Sequence, residues 1–116
     1  MGALHMVEIQ IPFNGWSIKR LSAGIKRATS RTKKYGETGD TFSVTLLHGS
    51  TARYQLKFVV KLPLWFIARY LHETEGCSTQ KEFEEIWREI HPRKKWTDNE
   101  LVWYHYFEVH DGGISE

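Results

Sequence analysis

The chain is poor in cysteine: Cys77 stands alone among 116 residues. A single thiol allows no internal disulfide and no cysteine-based zinc site, and it suits a reducing, cytoplasmic setting. Long apolar runs are missing as well, so no stretch has the 18 or so consecutive apolar residues of a membrane-spanning helix. The N-terminus has no apolar core of the kind a signal peptide carries. Residues 1–5 (Met1-Gly2-Ala3-Leu4-His5) read instead as a tag or cloning remnant, with Met6 as the expected native start and residues 6–116 as a single domain. Six histidines occur without ligand spacing, so neither a metal nor another cofactor is expected. Acidic residues are scarce in one part of the chain only. Residues 9–72 hold eleven lysines and arginines against Glu37 and Asp40, whereas residues 73–116 hold five basic and eleven acidic residues.

That asymmetry predicts a folded protein with one basic and one acidic side. A basic side favours a polyanion such as RNA or DNA, through phosphate contacts and counterion release. The same asymmetry also lets the two halves attract each other inside the fold, and it leaves an acidic face open to a protein partner. Aromatics make up 14% of the chain, five of them Trp, and hydrophobic residues 41%. This is a globular balance with large side chains for a core.

Apolar and polar residues alternate over residues 7–11, 41–47, 51–61 and 101–109, which reads as four strands; Pro12 ends the first, and the third puts Tyr54, Leu56, Phe58 and Val60 on one face. A further short strand is possible near Thr29 to Thr32. Asn14 is an N-cap for a short helix holding Ile18 and Leu21, and Gly24 is its stop. Residues 64–71 carry a second apolar stripe. Thr79-Gln80-Lys81-Glu82 has the form of a capping box, followed by Phe83, Ile86, Trp87 and Ile90 on one helical face, with Pro92 ending the run. The order is β–α–β–β–α–α–β. The economical arrangement is α+β: a small barrel of mostly antiparallel strands flanked by about three helices. Trp65, Trp87, Trp103 and Phe107 are expected in its core.

The chemistry concentrates in Gly24-Ile25-Lys26-Arg27-Ala28-Thr29-Ser30-Arg31. A glycine ends a helix, a lysine follows in a loop, and a threonine and an arginine share one face if a strand begins at Thr29. A cation, a hydroxyl and a guanidinium would then converge on an anion, or on a carbonyl that develops negative charge.

The pattern G-x-K-x-x-T-x-R formed by Gly24, Lys26, Thr29 and Arg31 resembles the signature of the ASCH domain, a PUA-like family. Residues 36–42 (Gly-Glu-Thr-Gly-Asp-Thr-Phe), residues 75–83 (Glu-Gly-Cys-Ser-Thr-Gln-Lys-Glu-Phe), and Trp87 with His91-Pro92 and the strand at 102–107 are similar to further family features in the same order. Together they cover about residues 16–109. The resemblance implies a small β-barrel with a cleft over the lysine motif. It implies RNA or nucleotide binding and, as in one bacterial group, hydrolysis of acetylcytidine by a Lys, a Thr three residues on and a Glu before the last helix. Those roles fall on Lys26, Thr29 and Glu75. Trp16, Arg27, Arg31, Lys33 and Lys34 are candidate ligand or nucleic-acid contacts, Trp16 by stacking on a base. Two arrangements use the same three side chains. A neutral Lys26 could activate Thr29 as a nucleophile, or a charged Lys26 could pair with Glu75 and bind a polar ligand. No membrane partner is expected, and a monomer is assumed.

Overall fold

The computed structural model describes residues 7–115, and side chains up to residue 110; the expectations for residues 1–6 lie outside the described residues. The elements run α1 (Gly15–Ser22), β1 (Ala28–Arg31), β2 (Thr41–Thr45), β3 (Thr51–Pro63), α2 (Leu64–Phe66), which continues as a π-helical turn (Ile67–Leu71), α3 (Gln80–Ile90) and β4 (Leu101–Ser115). The strands form one antiparallel sheet in the order β1-β4-β3-β2, curled into a half-barrel. The α+β class and three helical segments agree with the sequence.

Each element has a local cause. Asn14 caps α1 by accepting from the Ser17 amide at 2.9 Å. Thr79 caps α3 by accepting from the Glu82 amide at 3.0 Å, and the Glu82 carboxylate reaches back to the Ser78 amide at 2.6 Å. The return bond of the capping box therefore lands one residue earlier than its usual form. β3 and β4 pair from Thr51 to Pro63 and hold the sheet together.

Two hydrophobic clusters lie on the two faces of the sheet. One gathers Ile11, Leu21, Phe42, Val44, Leu46, Tyr54, Leu56 and Phe107. The other gathers Ala28, Leu64, Ile67, Ala68, Cys77, Phe83, Trp87, Val102 and Tyr104 beneath the helices.

Three expectations need correction. Residues 7–11 do not form a strand; they meet the sheet at a single parallel bridge, Glu8 to Thr41. Their alternation reports burial rather than a backbone ladder: Ile9 packs against the first cluster and Ile11 is part of it. Along β3, Phe58 and Val60 do not continue the buried face of Tyr54 and Leu56, and are 42% and 37% exposed. A register shift between Leu56 and Phe58 reverses the side-chain parity there. Trp65 and Trp103 are not core residues. Trp65 is 38% exposed at the start of α2, and Trp103 is half-buried.

Candidate functional site

The site begins where α1 stops. The Gly24 amide donates to the Leu21 carbonyl and the Ile25 amide to the Arg20 carbonyl, both at 3.0 Å. This pairing is a Schellman closure, and Gly24 supplies the φ of 76° that it requires. The reversed chain carries Lys26 inward and enters β1, whose Thr29 lies opposite His105 and whose Arg31 lies opposite Trp103 on β4.

The second half of the site comes from the turn after the π-helical segment. The Cys77 amide donates to the His72 carbonyl at 3.0 Å, and Gly76, at φ 93°, turns the backbone. The Thr74 carbonyl accepts from the amides of both Arg27 and Ala28, at 2.6 and 2.9 Å. These bonds fix the turn against the motif loop and set Glu75 beside Lys26.

The Lys26 ammonium donates to the Glu75 carbonyl oxygen at 2.9 Å and stands 3.5 Å from its carboxylate oxygen Oε1. The other carboxylate oxygen accepts from the Ser30 hydroxyl at 2.5 Å. Both side chains of the ion pair are almost wholly removed from solvent. Burial lowers the Lys26 pKa from its ordinary 10.5; Glu75 opposes that shift, and the nearby Arg31 adds to it. Lys26 makes no hydrogen bond to Thr29. The Thr29 hydroxyl instead accepts from Arg31 Nε at 3.0 Å, so the two residues do share a face.

Arg31 is itself braced. Its Nη2 donates to the Pro12 carbonyl at 2.6 Å, and its guanidinium lies 5.1 Å from the Phe13 ring and 5.4 Å from the Tyr35 ring. The Lys33 ammonium approaches the same Tyr35 ring at 5.1 Å. Beneath β1, His105 is fully buried. Its Nε2 accepts from the Tyr35 amide and its Nδ1 faces the Thr29 carbonyl, each at 3.1 Å. An amide can only donate, so the ring proton belongs on Nδ1. Burial lowers the pKa of this imidazole below its ordinary 6.5, and Arg31 and Lys34 push it the same way.

These groups open onto one cavity of about 480 Å³. Lys26, Thr29, Glu75, Trp16, Arg31 and Lys33 all line it, so most of the candidate residues converge. Trp16 is half-buried with the Arg20 guanidinium 3.9 Å from its ring. Arg27 and Lys34 do not line this cavity. Arg27 borders a smaller one of about 280 Å³ with Tyr54 and Glu108. Lys34 pairs with Glu37 at 2.7 Å and lies 5.1 Å from the Trp103 ring.

Sequence reasoning missed several lining residues. Ser30, which holds the Glu75 carboxylate, carried no signal beyond a hydroxyl-rich stretch. Phe13 and Tyr35, which flank Arg31, carried none. On α3 the whole apolar stripe meets the cavity: Phe83 and Trp87 are buried core residues whose edges also line it, and the less buried Ile86 and Ile90 complete the wall. Cys77 also lines it, but burial and the neighbouring Glu75 and Glu82 carboxylates push its thiol up to about 12. A thiol so held stays protonated and is no nucleophile.

Chemically, the cavity offers a charged donor paired to a carboxylate, a hydroxyl held by a guanidinium, one further cation in Lys33 and an apolar wall. This is the composition of a pocket for a small polar ligand with a flat apolar part. No family model and no curated protein matches the sequence. Among solved structures, the chain is similar to protein EF3133 of Enterococcus faecalis V583, described under DUF984, at 19% identity and a TM-score of 0.63, covering 96% of this chain and 79% of that one. It is also similar to the ASCH domain of Lactobacillus crispatus JV V101, at 15% identity and a TM-score of 0.58, covering 90% of this chain and 79% of that one. The fold is thus that of an ASCH domain, as the motif resemblance implies.

Proposed function

We propose that this ASCH fold uses its cavity to bind a nucleoside, either free or as a single unstacked nucleotide of RNA. The observation that carries this reading is the convergence of Lys26, Glu75, Thr29 and Arg31 on one open cavity of about 480 Å³, with Trp16 in its wall. A space of that size holds one base and its sugar and excludes a duplex. The Lys26–Glu75 pair gives a donor and an acceptor side by side, which suits the amide-like edge of a pyrimidine or purine. Trp16 offers a surface for stacking.

The test is titration of the four ribonucleosides, followed by tryptophan fluorescence or calorimetry, with a short single-stranded RNA as a second ligand. One nucleoside should saturate the protein, and Trp16→Ala should weaken it by about 1–3 kcal/mol, the worth of a lost stacking contact. If no nucleoside and no RNA binds at low salt, this reading fails.

A second reading, hydrolysis of an acylated exocyclic amine as in acetylcytidine, draws support from the same three side chains lining one cavity and from the lowered pKa of Lys26. In this scheme the ammonium first loses its proton. The neutral amine then takes the proton of Thr29 as the hydroxyl attacks the acyl carbon. The C–N bond breaks as the leaving amine is protonated, and water releases the acyl group from Thr29. Lys26 is hydrogen-bonded to Glu75 and not to Thr29, so the ion-paired ground state favours binding over turnover. Incubation with acetylcytidine and chromatography for cytidine decides the matter. Turnover should rise with pH as Lys26 loses its proton and vanish in Lys26→Ala.

A further inference from the structure

We infer that the ligand of this cavity carries a phosphate monoester, seated between the Arg31 guanidinium and the Lys33 ammonium, so that the preferred ligand is a mononucleotide rather than a nucleoside. The inference rests on the nucleoside reading above and adds a charge requirement to it.

The argument is one of unmatched charge. Two cations near the cavity are already matched: Lys26 by Glu75, and Arg20 by the Glu82 carboxylate at 3.4 Å. Arg31 and Lys33 are different. Both line the cavity, and among the described residues neither forms an ion pair with a carboxylate. Both approach a single ring, that of Tyr35, at 5.4 and 5.1 Å, which places them near one another. Arg31 is half-buried, and a guanidinium cannot shed its proton to escape the cost of desolvation. An anion from outside offsets that cost.

The site is also built in advance. Arg31 is fixed at both ends, by Thr29 through Nε and by Pro12 through Nη2, and is flanked by Phe13 and Tyr35. A pre-set guanidinium gives up little side-chain freedom when it binds an oxyanion. Charge then distinguishes a phosphate monoester from a carboxylate. A monoester carries about −1.5 to −2 at neutral pH, which matches the two cations, whereas a carboxylate leaves one of them uncompensated. The apolar wall made by Ile86 and Ile90 belongs to the same cavity and suits the uncharged part of such a ligand.

The experiment compares cytidine, cytidine 5′-monophosphate, cytidine 3′-monophosphate, a cytidine dinucleotide joined by a phosphodiester, and inorganic phosphate, all by calorimetry on the full chain at low salt. At least one monophosphate should bind ten-fold or more tighter than the nucleoside. Lys33→Gln, a change at an exposed position that spares the fold, should shrink that preference several-fold. Added salt should shrink it too. Equal or tighter binding of the nucleoside overturns the inference while leaving the nucleoside reading intact. Tighter binding of the diester than of either monoester overturns the monoester assignment and points to an RNA chain. Binding of inorganic phosphate without either monophosphate overturns it as well. Failure of every cytidine compound, repeated with the other three nucleosides and their monophosphates, removes the inference and the nucleoside reading together.

Discussion

At the residue scale the molecule turns on a buried ion pair that shares its carboxylate with a hydroxyl. Removing an ammonium and a carboxylate from water costs several kcal/mol each, and their attraction compensates only when further hydrogen bonds satisfy both groups. Here the Glu75 carbonyl and the Ser30 hydroxyl supply those bonds. Glu75→Gln leaves the Lys26 ammonium buried without its counter-charge and should cost about 3–5 kcal/mol by denaturant unfolding. Lys26→Met combined with Glu75→Gln removes the unpaired cation and should recover a large part of that loss. A double-mutant cycle whose coupling falls below about 0.5 kcal/mol would show that the pair contributes nothing beyond its separate members. Ligand affinity should fall in both single variants. Stability and binding therefore separate in the double variant, which is stable and does not bind.

At the scale of elements, two connections position the site. The first is the cap of α3. Thr79→Ala removes the acceptor of the Glu82 amide and should cost about 1 kcal/mol, read as a drop of several degrees in Tm, without altering the cavity walls. The second is His105, which ties Thr29 of β1 to the Tyr35 segment through opposite ring nitrogens. Its folded pKa lies below the unfolded value of 6.5 because the ring is buried. As pH falls through 6.5 the unfolded chain takes up a proton that the folded chain refuses, so stability declines until the lowered folded pKa is passed. His105→Gln should flatten that part of the pH–stability curve. In the wild type, an NMR titration should show the ring neutral below pH 6.5; an imidazole titrating at 6.5 or above contradicts the account.

Much of this was legible in the sequence. The caps of α1 and α3, the stop at Gly24 and the common face of Thr29 and Arg31 all depend on short-range rules, and they fold as the residues dictate. The position of Glu75 depends on something those rules do not encode. It is set by the π-helical turn at Ile67–Leu71 and by the Thr74 carbonyl taking two amides from a segment far away in sequence. The parity reversal along β3 is similarly hidden, because a bulge leaves no mark on the alternation of Tyr54, Leu56, Phe58 and Val60. That the α3 stripe borders a cavity could not be read either. Periodicity says that a face is apolar, not whether core or cavity lies against it.

At the scale of the whole molecule, the unequal distribution of charge along the chain is partly consumed by the fold itself. Arg20 and Lys26 come from the basic segment and pair with Glu82 and Glu75 from the acidic one. Lys34 pairs with Glu37 and Arg53 approaches Glu8 at 3.6 Å, which leaves fewer free cations than the eleven in residues 9–72 suggest. Of the cavity-lining cations, only Arg31 and Lys33 remain for phosphate. Each phosphate neutralised on a single strand contributes about −0.7 to the slope of log K against log salt concentration. A short single-stranded RNA that binds through this cavity should therefore show a shallow slope, between about −0.7 and −1.4, in filter binding over a salt series. Lys33→Gln should reduce it by about one phosphate's worth. A slope steeper than about −3 would mean that phosphates contact a path of lysines and arginines well beyond the cavity, and that the exposed Lys57, Lys61 and Arg69, rather than the motif, dominate the encounter.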